Sequence, residues 1–472
     1  MEDIQMSTNE NSQRSLSWVT GLSVALGVPL LIIPSIEYFA RYLLYASVGI
    51  WILSVLQGFF QNMAYGEMAV DFPDAAGIPG YSQRIMGNSK SGFLRFLGGF
   101  SAWGYWFAWA PIPAIFTFSI TNLLLGTLPE SLTIPRTPLC FLVGSLVLWG
   151  MFFSNRRGLS ESAVMGYVMN FLSLAPITII ALLPFFLGKA DMSLFSGNLV
   201  KTNLSPSLPS AILLLGLFGM AQWSACAWET AAIYGPEYRD PKRDTPKALI
   251  SCGLVCLILF VLVQVSCLAT LGVEEVCNSS ASSLLALARV SLGRAGSIAA
   301  VAIIIIAMLS IIKTGFCGAA MAMRSMAEEH NLPDFFRKTN AFGIPQNAML
   351  VIIVLNYCLL LMGSESAIVA ASSVGYCIAN GVCLMSYVKH KYKKHHSENR
   401  RQGFSMPGIW LVFACVFAVL NLSLYIIGLL YLNYIEYGWI TALVCVLILF
   451  AYVPMKILAS RKEQTTHDTK SH

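Results

Sequence analysis

Stretches of about 20 apolar residues, each long enough to cross a bilayer as a helix, follow one another from residue 18 to residue 457 with few polar residues between them. No other feature constrains the chain as strongly. Backbone groups in hydrocarbon have no water to bond, so each run must close its hydrogen bonds internally. Twelve spans can be placed, at about 18–38, 43–66, 96–124, 138–154, 163–187, 209–234, 247–271, 296–324, 347–364, 366–388, 405–428 and 438–457. Composition agrees: of 472 residues, 56% are hydrophobic and 11% charged, against roughly a quarter charged in soluble domains. The expected class is an all-α integral membrane protein with twelve transmembrane helices.

The polar residues 1–17 read as a cytoplasmic tail, and the apolar run after them is too long for a signal-peptide core. Loop charge fixes the orientation. With the N-terminus inside, the inward segments hold 23 Lys and Arg, and the outward ones hold six: Arg41, Arg136, Lys189, Lys201, Arg289 and Arg294. Both termini are therefore expected in the cytoplasm, with the plasma membrane as the location. Residues 389–404, with the run KHKYKKHHSENRR, form a basic cytoplasmic loop facing anionic headgroups. Residues 405–457 supply helices 11 and 12, and 458–472 a cytoplasmic tail.

Twelve cysteines lie mostly inside spans with no CxxC or Cys/His spacing, so they read as packing residues and no metal site is expected. The net charge of +6 is explained by topology and needs no nucleic-acid partner. Two sequons, at Asn203 and Asn278, fall on expected outer loops.

Two spans are interrupted. GVPLLIIP (27–34) puts a glycine and two prolines inside span 1, where proline costs a helix about 3 kcal/mol. AQWSACAWETAAIYGPE (221–237) puts small residues between two tryptophans in span 6, followed by the acid Glu229. If spans 1–5 and 6–10 are equivalent halves, the breaks correspond, which is the sequence pointer to a transporter's midplane site. Two packing kinks are the alternative.

The inward-facing connections carry a resemblance. YGEMAVDFPDAAGIPGY (65–81), NRRGLSESA (155–163), ETAAIYGPEYRDPKRDTPKALI (229–250), MAEEHNLPDFF (326–336) with GIPQNA (343–348), and SSVGYCIANGVCLMSYV (372–388) are similar, in order and between the right spans, to motifs of the amino acid–polyamine–organocation superfamily. The resemblance covers about residues 20–410. It implies a leucine-transporter-type fold. The core would be ten helices at 18–388, two inverted repeats (about 18–187 and 209–388), with two peripheral helices outside it. Substrate would sit between helices 1, 3, 6, 8 and 10 and cross by alternating access. Free amides at the helix 1 break would hold an α-carboxylate, and carbonyls at the helix 6 break an amino group.

Carried over by position, the helix 1 motif falls on Gly27, Val28, Pro29 and Leu30, the floor of the site, with Pro29 where the family has a second glycine. That removes one amide donor, weakens ordinary carboxylate capture and raises the case for a cationic substrate. WSACAWE (223–229) resembles the arginine–agmatine exchangers of the superfamily. It implies Trp223 as a gate, Ser224 and Ala225 as lining, Cys226 as an aliphatic contact and Glu229 as the buried acid, with Ala227 shortening the unwound turn. In helix 3 the match implies that Ala108, Trp109 and Pro113 line the pocket.

A charged Glu229 at mid-depth costs about 2.5–3.5 kcal/mol on insertion scales, so it reads as a proton site or a counter-ion, or else as a structural carboxyl. Lys313 lies eleven residues, about 16 Å, before Arg324 at the end of span 8, too far for snorkelling. Superfamily members place a sodium ion, or a lysine from helix 5, between helices 1 and 8. Lys313, with Thr314 nearby, is expected to fill that cation position, either coupling transport to protons or as a fixed tie. Glu67 and Asp244 read as inner-gate support, and Glu37 as an interfacial residue.

The function expected is that of a sodium-independent, proton-coupled secondary transporter for an amino acid or derived amine, with no prosthetic group. A polyamine or organic-cation carrier is the alternative, and both a monomer and a homodimer are compatible. A membrane enzyme would need a catalytic set at one depth, and the spans hold no histidine or nucleophile elbow. A channel would need a repeated filter motif. A sensor subunit without transport shares the same sequence features.

Overall fold

The computed structural model describes residues 16–25, 27–129, 134–156, 163–279, 282–395 and 403–468. Among them the chain is helical apart from connections and one isolated bridge between Leu16 and Tyr238. Among the described residues, nine helical stretches are long and apolar enough to cross a membrane. One of these, Leu30–Asp71, contains two spans, because the chain turns at Leu44 (φ 49°). Two shorter apolar helices, Leu174–Phe186 and Gln346–Leu360, complete twelve spans. This is an integral membrane protein.

Span 1 consists of α1 (Trp18–Ala25), a 3₁₀ segment (Val28–Ser35) and α2 (Ile36–Leu43). Span 2 is α3 (Ser47–Asp71), followed by the short α4 (Gly77–Gly87). Span 3 is divided into α5 (Gly92–Trp109) and α6 (Ile112–Thr127). Spans 4 and 5 are α7 (Arg136–Asn155) and α8 (Ala163–Phe186), and span 6 is α9 (Leu208–Cys226) with a 3₁₀ segment (Ala227–Ala232). Spans 7 and 8 are α10 (Pro241–Asn278) and α11 (Ser283–Glu328). Each of these two bends sharply at a glycine in the left-handed region, Gly272 (φ 74°) and Gly293 (φ 69°), a conformation side chains resist. Spans 9 and 10 are α12 (Gln346–Leu360) and α13 (Glu365–His395). Span 11 runs from α14 (Trp410–Val419) through a π-helical turn to α15 (Ile426–Tyr437), and span 12 comprises α16 (Trp439–Phe450) and α17 (Tyr452–Asp468).

The packing has an internal symmetry. Span 2 lies on span 7, span 3 on span 10, span 8 on span 5, span 4 on span 9 and span 1 on span 6. Exchanging each span with the one five places on maps this set onto itself, as a five-helix repeat requires. Spans 11 and 12 lie outside it, span 11 against spans 6 and 10 and span 12 against spans 3 and 10. Burial follows: 94% of the apolar window of span 10 is buried but only 22% of that of span 12. Span 10 is therefore central, and span 12 turns most of its apolar surface to lipid.

Candidate substrate site at the two broken helices

Both interruptions close as 3₁₀ turns rather than opening into extended chain. Pro29 near the start of the first lacks an N–H, and Pro34 within it cannot donate backward. The chain there tightens to i→i+3 bonding, and the Leu30 N–H bonds the Gly27 carbonyl at 3.1 Å. Of the amides expected to be free at this break, the Leu30 donor is engaged and Pro29 has none. In span 6 the α-helix ends at Cys226, and Ala227, where glycine was the family residue, keeps the chain turning as a 3₁₀ helix through Ala232. The two breaks meet where the hydroxyls of Ser35 and Ser224 lie 3.5 Å apart. Gly27 is half-buried, and the side chains of Val28 and Pro29 lie outside the described residues.

Glu229 sits in the span 6 break, fully buried. Its carboxyl accepts a hydrogen bond from Tyr376 Oη of span 10 at 2.9 Å and one from Tyr105 Oη of span 3 at 3.3 Å. The two tyrosines converge because spans 3 and 10 touch backbone to backbone at Gly104 and Gly375. One turn before the break, the Trp223 indole N–H donates to the Ala108 carbonyl at 2.9 Å, tying span 6 to span 3. Ser224, Ala225 and Cys226 are buried. Cys226 Sγ lies 3.0 Å from the Ser54 carbonyl, which also accepts from Gln222 at 3.0 Å, so Cys226 faces span 2.

Span 3 has a break of its own. Pro111 and Pro113 remove two donors from the helix, and the Asn356 side chain of span 9 enters the gap. Its amide nitrogen donates to the Ala110 carbonyl at 2.9 Å, and its oxygen accepts from the Ala114 N–H at 2.8 Å. An amide thus stands between two groups that an unbroken helix would bond directly. Ala108 and Pro113 are buried there, and the half-buried Trp109 ring lies 6.3 Å from that of Tyr105.

A family model described as "Amino acid permease" matches residues 12–453. The chain belongs to the amino acid permease family. Similar proteins include an arginine/ornithine antiporter of Pseudomonas aeruginosa, 26% identical over 55% of this chain and 53% of its own length. The amino-acid permease RocC of Bacillus subtilis is 23% identical over 66% of this chain and 64% of its own length. The arginine/ornithine antiporter ArcD1 of Lactococcus lactis is 23% identical over 61% and 57%. The matched region thus spans between about half and two thirds of these relatives.

Other expected positions in this permease fall elsewhere. Gly27 lies against Ile311 of span 8, so an apolar side chain occupies the contact between spans 1 and 8. Lys313, two residues on, is half-buried. Thr314 is exposed and its hydroxyl donates to the Ser310 carbonyl of its own helix. Asp244 reaches back to the Asp240 N–H at 3.2 Å, closing the N-terminus of α10.

Glu37, expected to be interfacial, accepts from both the backbone and the hydroxyl of Ser283 at 2.8 and 3.0 Å. It lines a small cavity with Ile33, Ser119, Ser282 and Glu365, and Ser119 donates to Glu365 at 2.8 Å.

Glu67 accepts from Tyr387 and Lys391 of span 10, both at 2.7 Å, and from Ser405 and the Met406 N–H at 3.1 Å. Span 10 runs on as helix to His395, so Lys391 of the basic run is buried rather than facing headgroups.

Proposed function

We propose that this permease is a sodium-independent secondary transporter of a cationic amino acid, working by alternating access around the breaks in spans 1 and 6. The observation that carries the reading is Glu229: a buried carboxyl on the broken turn, held by two hydroxyls that come from other spans. An entering ammonium or guanidinium group would displace those hydroxyls as partners of the carboxylate, so binding and the packing of spans 3, 6 and 10 would be coupled. Three further features support a cation. Pro29 and the engaged Leu30 amide leave few donors for a carboxylate, Glu37 and Glu365 border a cavity beyond the span 1 break, and two of the similar proteins are named arginine/ornithine antiporters.

Coupling to protons fits the same group, since a carboxyl freed of its substrate can carry a proton back. The excess of Lys and Arg on one face supports termini on the cytoplasmic side, with the plasma membrane as the proposed location.

The test is counterflow in proteoliposomes loaded with unlabelled arginine. Uptake of labelled ornithine or arginine in sodium-free buffer, absent for leucine and lost in Glu229→Gln, is the expected result. A second reading, a polyamine carrier, is favoured by Pro29 and Glu229. Uptake of putrescine in place of ornithine would select it.

A further inference from the structure

The span 1 break is a poor seat for a carboxylate. Pro29 supplies no N–H, and the Leu30 N–H is spent on the Gly27 carbonyl. An amino acid carries a carboxylate nonetheless, and burying one without hydrogen-bond donors is costly. The Ser35 and Ser224 hydroxyls lie against each other at 3.5 Å, and the Trp223 N–H is held by the Ala108 carbonyl.

Among the described residues, three buried indole N–H groups have no hydrogen-bond partner: those of Trp106, Trp109 and Trp228. Trp106 stacks at 4.3 Å on Trp103, which is itself bonded to the Ile448 carbonyl of span 12, so this indole belongs to the peripheral side of span 3. Trp228 packs against Phe59 of span 2 at 5.1 Å and lies over Gly253 of span 7. Trp109 stands at the breaks. One turn before it on the same face of α5, Tyr105 donates to Glu229 at 3.3 Å. Just past it, Ile112 lies against Gly315 of span 8, one turn from the Ile311 that meets Gly27. The Tyr105 hydroxyl comes near the Trp109 N–H without a hydrogen bond forming between them.

We propose that the Trp109 indole N–H holds the carboxylate of the substrate, in place of the amides that span 1 lacks, while Glu229 holds its cationic group. The role rests on the reading of the chain as a carrier of cationic amino acids, and it names the residue that separates an amino acid from the amine with the same side chain. An indole nitrogen donates and cannot accept, so it gains nothing from an ammonium or guanidinium group. Hydrogen bonds to a charged acceptor are also the stronger ones. Donor and acid come from different spans, and Tyr105 stands between them, so a substrate carrying both charges bridges spans 3 and 6.

The test is binding of arginine and of agmatine, which is arginine without its carboxylate, to the purified permease. Trp109→Phe keeps an aromatic ring and removes the N–H. It should weaken arginine about tenfold, the effect of one hydrogen bond to a charged group, and leave agmatine nearly unchanged. Trp109→His, whose ring keeps an N–H, should retain the wild-type ratio of the two affinities, and it decides the matter in the same way if the Phe variant binds neither ligand. An equal fall for both ligands in Trp109→Phe, or a lost ratio in Trp109→His, would reduce the residue to packing and overturn the proposal. So would a ratio lost in Lys313→Gln and kept in Trp109→Phe, which would assign the carboxylate to the lysine of span 8. Binding of neither ligand by the wild type would overturn the reading on which the role of Trp109 rests.

Discussion

A Cβ atom on Gly104 would lie 2.8 Å from the carbonyl oxygen of Gly375, and one on Gly375 would lie 2.5 Å from that of Gly104. Spans 3 and 10 therefore cross at a point where neither tolerates a side chain, and the next residue on each, Tyr105 and Tyr376, reaches Glu229. Gly375→Ala would have to push backbone against backbone. Overpacking of this kind costs about 1–3 kcal/mol, and the shift would carry Tyr376 off the carboxyl. We expect a lowered thermal midpoint in detergent together with loss of transport in proteoliposomes. Unchanged transport would mean that the crossing does not position the tyrosines.

The two tyrosines should not be equivalent. Tyr376 donates at 2.9 Å and Tyr105 at 3.3 Å, so Tyr376→Phe removes the stronger support from a buried acid. Loss of a hydrogen bond to a buried polar group costs about 1–3 kcal/mol. Calorimetric titration of the two variants with substrate should show the larger loss of affinity for Tyr376→Phe. The reverse order would show that the acid is held chiefly from span 3.

The spans, their breaks and the buried acid were legible because each is written locally, in runs of apolar residues, in prolines and in one carboxyl. The partners of that acid were not. Tyr376 reaches Glu229 across 147 positions of sequence, and Asn356 is one polar residue in an otherwise apolar run whose role depends on a break in another span. Span 8 shows the limit from the other side: hydropathy placed Lys313 in it, but only the rotation of that helix decides that Ile311 meets Gly27. Lys391 was hidden in a basic run that reads as a topological signal, and its burial follows from the continuation of α13 past the end of the apolar segment.

Breaking the Glu67–Lys391 pair from one side should cost more than removing it entirely. Both side chains are buried, and a charge left alone there costs about 3–5 kcal/mol, whereas replacing both partners with apolar groups is often near neutral. Glu67→Met and Lys391→Met should each lower the thermal midpoint strongly, and the double variant should recover part of it. The Ser405 and Met406 donors would still lose Glu67 in the double variant, so full recovery is not expected. Additive losses would mean that the two residues act independently.

Asn356 provides the sharpest test of how span 3 survives its prolines. Its side chain serves both the Ala110 carbonyl and the Ala114 N–H, groups that are four residues apart and would bond each other in a straight helix. Asn356→Asp keeps an acceptor for Ala114 but turns a second oxygen toward the Ala110 carbonyl, orphaning that group and burying a repulsive contact. Asn356→Leu removes both bonds, yet leaves the helix free to close its own i→i+4 bond if the prolines allow it. Each buried group left unpaired costs about 1–3 kcal/mol. We therefore expect Asn356→Asp to be the less stable of the two in thermal unfolding. Asn356→Leu should be the more damaging to transport if closure of that bond moves Trp109 and the Ala108 carbonyl that anchors Trp223. If Asn356→Leu were as stable and as active as wild type, the inserted amide would be dispensable and the kink would be held by Pro111 and Pro113 alone.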